Sequence, residues 1–465
     1  MRALLLLTAA VVALPVAATG SAETVAITNA TVATGDGSGP IQGGTVVIRD
    51  GKIVAAGQNV SVPAGARVID GTGKWVTPGI VAGFSRLGLT DVSGGAEGAN
   101  DESADKSPFN AAIDIAPAIN PNYQPVKVNR AAGVTRAIVA PRAEHSIFAG
   151  QGAVIDTGAD MEPITKRKAF QFVELGQSGA EDAGGSRPSA YILFRDALRE
   201  AAELSRYTGP VRSAEAASPE ARSRPTTLNP NESRLYSHSA ERSQDVLLTR
   251  FDAAALVPVL QGRQPLLVHV ERASDILNVL DLKSEFPSLK IVIVGAAEGW
   301  LVADRLAKSG IPVIAAALTD LPESFEEIAS TQSNVGRMRS AGVNVSIGMV
   351  NDDDAHKLFY EREYAGNLVG LQKVPGATGV SWGEALAMIT SRPAEAIGLG
   401  GEIGRLSPGE HADVVIWSGD PLEVTSEAEQ VFIDGVQQPL DDHQSRLLER
   451  YRYLPRTDLP KAYRP

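Results

Sequence analysis

The chain reads as an α/β protein in which short apolar strands alternate with helices, accompanied by a small all-β unit near each end. Three observations predict this. Between Gln264 and Val350, residues 265–270, 290–294, 311–315 and 343–347 are nearly continuous apolar runs, separated by helical stretches at 273–282 and 300–309. Such runs suit strands covered on both faces, and their alternation with helices implies parallel strands joined by crossover helices. Near the start, residues 24–27, 44–57 and 66–70 are β-branched stretches between Gly-rich turns, with Asp50-Gly51 as a tight-hairpin pair. The same strand–turn–strand pattern returns at residues 404–417 and 431–436, where Asp434-Gly435 marks the turn. On periodicity alone, a closed (β/α)8 barrel and an open doubly wound sheet both fit.

The remaining elements follow in order. Residues 1–22 carry one basic residue, Arg2, then an apolar run and small residues up to Ala22, the pattern of a cleaved secretory signal. No later run is long and apolar enough to span a bilayer, so the expected setting is periplasmic or secreted, with no membrane association after cleavage. Residues 93–107 and 208–243 are rich in polar residues, Gly and Pro, and read as mobile insertions that could act as lids or lie inert on the surface. Ser381-Trp382-Gly383-Glu384 reads as a capping box opening a helix over 385–390. Residues 441–465 form a C-terminal extension.

Composition removes several function classes. With 465 residues, 43% of them hydrophobic, the chain can bury a large core without staples, and it contains no cysteine, which excludes disulfides, thiol catalysis and Cys-based zinc sites. A formal charge of -12 with no dense basic run argues against nucleic acid or anionic lipid as an electrostatic partner. No Gly-x-Ser-x-Gly elbow is present to support a serine nucleophile.

Residues 77–88, Thr77-Pro78-Gly79-Ile80-Val81-Ala82-Gly83-Phe84-Ser85-Arg86-Leu87-Gly88, resemble the first barrel strand of the amidohydrolase superfamily, where Thr-Pro-Gly leads into Asp-x-His-x-His. Residues 114–121, 131–141, 149–155 and 408–413 look like matching parts of secreted imidazolonepropionase-related amidohydrolases. The resemblance implies a (β/α)8 TIM-like barrel over 77–400, with a small β-sandwich built from both termini, residues 23–76 and 401–440.

The family's centre is a divalent metal, zinc or another, that ionises a water and polarises a scissile C–N carbonyl. The resemblance implies that the ligand positions here are largely degenerate. Phe84 and Arg86 stand for the strand-one histidines and Ala82 for their companion Asp. Gln171 takes the strand-four lysine position, with Lys168 the nearest substitute. Gly295 stands for the strand-six His, before a retained Glu298, and Val350 for the strand-eight Asp. His269 is the one ligand-type residue kept. A ring of Phe offers no lone pair, a guanidinium repels a cation, and one imidazole does not hold a metal, so no cofactor is expected. A rearranged site remains as the alternative: Asp352, in the acidic run after strand eight, could hold a metal together with His269, Glu271 or Glu298, and His356 just beyond the run is a similar candidate. Arg86 is expected to fill the vacated position and to pair with Glu298 or Glu271, because a buried guanidinium requires a partner.

The candidate pocket residues are therefore Arg86, Gln171, His269, Glu271 and Glu298, with no residue assigned a catalytic role. The functional expectation is a non-catalytic homologue of metal-dependent C–N hydrolases that binds a small carboxylate or peptide-like ligand, or pairs with an active paralogue as a hetero-oligomer; a homo-oligomer is equally compatible. The alternative is an active hydrolase of the peptidase or N-acyl amino acid type with a rearranged or metal-free site.

Overall fold

The computed structural model describes residues 24–92, 100–104, 106–207, 247–350 and 357–452. The readings for residues 1–22, for most of the two insertions, and for Asp352 and His356 lie outside these residues. Among the described residues no helix is long and apolar enough to cross a membrane.

Five strands come first: β1 (Val25–Val32), β2 (Ile41–Arg49), β3 (Lys52–Gly57), β4 (Arg67–Asp70) and β5 (Trp75–Pro78). Eight follow: β6 (Ile80–Ser85), β7 (Val134–Val139), β8 (Phe148–Asp156), β9 (Ile164–Glu174), β10 (Leu266–Val270), β11 (Ile291–Gly295), β12 (Val313–Ala315) and β13 (Val345–Ile347). Three close the chain: β14 (Val414–Trp417), β15 (Ala428–Ile433) and β16 (Val436–Gln437).

The first five and last three strands hydrogen-bond into one eight-stranded sheet, in which β5 runs antiparallel to β14. The terminal unit is thus drawn from both ends, and its strands pair as a single mixed sheet. Both Asp-Gly turns take the left-handed conformation at each residue, φ 53° and 72° at Asp50 and Gly51, and 50° and 75° at Asp434 and Gly435. That double positive φ is what a two-residue hairpin needs to match strand twist, and it sets Arg49 opposite Lys52 and Ile433 opposite Val436. Arg136 on β7 fastens this sheet to the rest: its Nε and Nη2 grip Asp413 at 2.7 and 3.0 Å, and Nη2 also reaches Asp434 at 2.8 Å.

Strands β6 to β13 lie side by side in chain order. The edges nearly meet, since Met349 N donates to Phe84 O at 3.2 Å and a Cβ on Gly83 would stand 2.2 Å from the Ile347 carbonyl oxygen. The expectation of uniformly parallel strands is corrected at β8, which runs antiparallel to both β7 and β9. Its flanking links, 140–147 and 157–163, are too short for a crossover helix, so the chain can only reverse. The helices expected near 273–282 and 385–390 form as Ala273–Glu285 and Trp382–Met388, the latter opened by the Ser381–Glu384 capping box.

Alternation along the strands divides the apolar residues into two layers. Phe84, Ile138, Phe170, Phe172, Leu267, Val292, Val294 and Ile314 pack inside the barrel. Val173, Leu266, Val268, Val270, Ile293 and Val345 face the surrounding helices.

Candidate functional site at the barrel mouth

The C-terminal ends of the strands carry the polar residues of interest. On β10, Leu267 faces inward and Leu266, Val268 and Val270 outward, so His269 falls on the inner side at the strand's end. The register of β9 with β10 pairs His269 with Glu174. Their side chains meet, Nδ1 of His269 lying 2.6 Å from Glu174 Oε2, while Nε2 lies 2.9 Å from Glu271 Oε1. The imidazole is thus held at both nitrogens by carboxylates, with its side chain about 20% exposed. Burial opposes its charge, but Glu174 and Glu271 outweigh burial and hold its pKa well above the usual histidine value. Both ring nitrogens thus face carboxylate oxygens, an arrangement that favours the doubly protonated ring.

Glu271 is itself fixed, since its second oxygen accepts from Ala297 N at 2.7 Å. Gly295 makes room for it: a Cβ there would sit 2.3 Å from Glu271 Oε1, and the backbone φ of 94° suits glycine. The position read as a lost metal histidine is therefore one that side chains cannot enter while Glu271 keeps its place.

Arg86 lies inside the mouth, 7% exposed, with Nη1 donating to Ala140 O at 2.9 Å. Its guanidinium lies 4.9 Å from the Phe84 ring centroid and 5.8 Å from that of Phe172, whose rings pack 5.3 Å apart. The expected ion pair with Glu271 or Glu298 does not form. Glu271 is committed to His269 and Ala297, and Glu298 accepts from Ala273 N and Ala329 N, both at 3.0 Å. Arg86 sits on aromatic faces instead, where the ring quadrupole favours a cation.

Gln171 requires correction. Phe170 and Phe172 occupy the inner side of β9, so Gln171 points outward with Val173, buried and away from the mouth. It pairs in register with Leu266, three residues from His269, and neither a pocket role nor the strand-four ligand position fits it. Lys168 is exposed and lies further still from the mouth. The residue that meets His269 from β9 is Glu174, which the sequence reading passed over; counting inward positions from Phe170 would have found it. Val350 packs against the inner apolar cluster as part of the lining of a cavity of about 560 Å³ formed mainly by residues 316–323.

The loop after β12 adds a further acid, Glu326. Glu326 Oε2 accepts from Gln177 N at 2.9 Å and from Arg187 Nη2 at 2.7 Å, and Arg187 also holds Asp275 at 2.7 Å. Burial pushes the Glu326 carboxyl up from its ordinary range. Behind β6, fully buried Glu361 accepts from Gly83 N at 3.3 Å, and burial raises its pKa well above normal.

The metal that the fold family implies does not fit these residues. Two aromatic rings and a guanidinium fill the strand-one and strand-four sides, and both nitrogens of His269 are already engaged by carboxylates. Among the described residues, no group of three or more His, Asp or Glu is arranged to hold a metal ion.

Residues 292–438 match the family model described as Amidohydrolase family. The chain is 23% identical over 424 residues to Amidohydrolase tasK of Hapsidospora irregularis, an alignment covering 86% of this chain and 39% of that protein. It is 33% identical over 171 residues to a dihydroorotase of Anaeromyxobacter dehalogenans (strain 2CP-C), covering 36% of this chain and 35% of the relative. It thus spans well under half the length of these curated relatives. A solved amidohydrolase from Thermotoga maritima MSB8 superposes with a TM-score of 0.72 at 24% identity, covering 89% of this chain and 99% of that one. The family likeness is thus carried by residues 292–438, and the solved structure shares the fold of nearly the whole chain.

Proposed function

We propose that this amidohydrolase-superfamily chain is a metal-free, non-catalytic homologue of the superfamily's C–N hydrolases, acting by binding a small carboxylate or peptide-like ligand, or an active paralogue. One observation carries the reading: both ring nitrogens of His269 are held by Glu174 and Glu271. An imidazole in that state neither coordinates a cation nor accepts a proton from water, so the ancestral route to hydroxide lacks its starting group. Arg86, next to the mouth, supplies the fixed positive charge that a ligand carboxylate would meet. A periplasmic or secreted setting accompanies the proposal, resting on the composition of residues 1–22.

The test uses purified protein, analysed for bound zinc, manganese and iron and assayed on dipeptides and N-acyl amino acids with and without added zinc. The expected result is metal far below one per chain and no turnover, with saturable binding of an N-acyl amino acid. Near-stoichiometric metal together with chelator-sensitive turnover would replace the proposal with the competing reading of an active C–N hydrolase, which the names of the relatives favour.

A further inference from the structure

We propose that the end of the barrel opposite the mouth carries a second binding site, for a small organic anion with an apolar body. A cleft of about 330 Å³ opens there between the starts of β10, β11 and β12 and the turn at 395–398. Four cations from separate stretches of chain line it: Lys166, Arg263, Lys283 and Lys290. In a protein whose formal charge is -12, this is a concentration against the trend. It is invisible in the sequence because no two of the four are adjacent.

The charges are not spent on each other's neighbours. Among the described residues, Lys166, Arg263 and Lys290 form no ion pair with a carboxylate; Arg263 donates only to the neutral Gln261 side chain, at 2.6 and 2.8 Å. The one carboxylate in the lining, Glu395, is taken by Arg405. Lys283 donates to Pro287 O at 2.8 Å and to Leu289 O, carbonyls just past the end of its helix, which fix its ammonium beside the cleft. Like charges gathered in this way repel, and an oxyanion relieves the repulsion while taking their hydrogen bonds. Between the cations part of the wall is apolar, with Pro312 half-buried beside the buried Ile311 and Ile397. The volume exceeds that of an inorganic anion alone, so the fit is an oxyanion head on a compact hydrocarbon body.

The experiment is calorimetric titration of the full chain with phenyl phosphate and, separately, inorganic phosphate, against sodium chloride at matched ionic strength. Phenyl phosphate is expected to bind saturably and more tightly than phosphate. Lys290→Glu and Lys166→Glu should each weaken it at least about tenfold, with the unliganded melting temperature unchanged. Bound phenyl phosphate should also shield Lys166 and Lys290 of the unmodified protein from acetylation while leaving exposed Lys373 reactive, a readout independent of any variant. Equal heats with chloride, undiminished binding in both variants, or acetylation unaltered by the ligand would overturn the proposal. Tighter binding of inorganic phosphate than of its ester would overturn the organic body and leave a plain phosphate site.

Discussion

The protonation of His269 has a measurable consequence for stability. In the unfolded chain its pKa is that of a free histidine, about 6.5, whereas in the fold burial is outweighed by Glu174 and Glu271, which hold it well above that value. The sign follows directly: a raised folded pKa gives stability that is fully present below pH 6.5 and is lost as pH rises toward the folded pKa. Within that window the folded state holds one more proton than the unfolded state, so unfolding free energy falls by about 1.4 kcal/mol per pH unit. His269→Gln removes the proton and with it the slope. Urea unfolding of both proteins at half-unit steps from pH 7 to 8.5 should show curves converging at that rate, with wild type the more stable at pH 7. In parallel, both His269 nitrogens should keep the ¹⁵N shifts of an imidazolium at pH 7.5. Parallel stability curves, or a neutral ring at pH 7.5, would refute the account of the triad and return a lone pair to the site.

Three further outcomes are expected. Gly295→His, which supplies the residue that the family resemblance would place there, should destabilise the fold by about 1–3 kcal/mol through backbone strain alone and more through collision with Glu271, without zinc appearing in metal analysis of the product. Phe84→Ala should cost roughly 3–5 kcal/mol in urea unfolding, because the ring is 4% exposed and packs between Phe172 and Arg86. Glu361→Gln should leave stability near wild type at about pH 4 and exceed it increasingly as pH rises: burial raises the folded acid's pKa, so wild type loses stability from its unfolded pKa upward, and the amide has no proton to lose.

How much of this was legible in the sequence depends on which interactions decide each feature. The hairpins were readable because Asp-Gly is a local solution to a local backbone demand, and both pairs have the required φ. The strands of residues 265–347 were readable because burial on both faces leaves an uninterrupted apolar run. The reversal at β8 was not, since residues 148–156 are buried along their whole length as a parallel strand would be and only the lengths of the flanking links decide direction. Glu361 was equally hidden: nothing local distinguishes it from the neighbouring acid Glu363, and its burial is created by β6, far away in sequence.

The mouth shows why a motif frame is not enough to place side chains. His269 was found because its strand preserves the family spacing, but its partner lay on a strand whose motif had eroded, and there the choice between Gln171 and Glu174 is one of parity. Phe170, Phe172 and Glu174 share the inner face because strand side chains alternate, and a slip of one residue exchanges that set for Gln171 and Val173. Once Glu174 is seated beside His269, the other substitutions cohere. Glu271 can close on the second nitrogen only if position 295 lacks a side chain, and Arg86 can stack on Phe84 and Phe172 only if no cation stands between the strands. These residues are therefore coupled: a side chain at position 295 would collide with the Glu271 carboxylate that His269 engages.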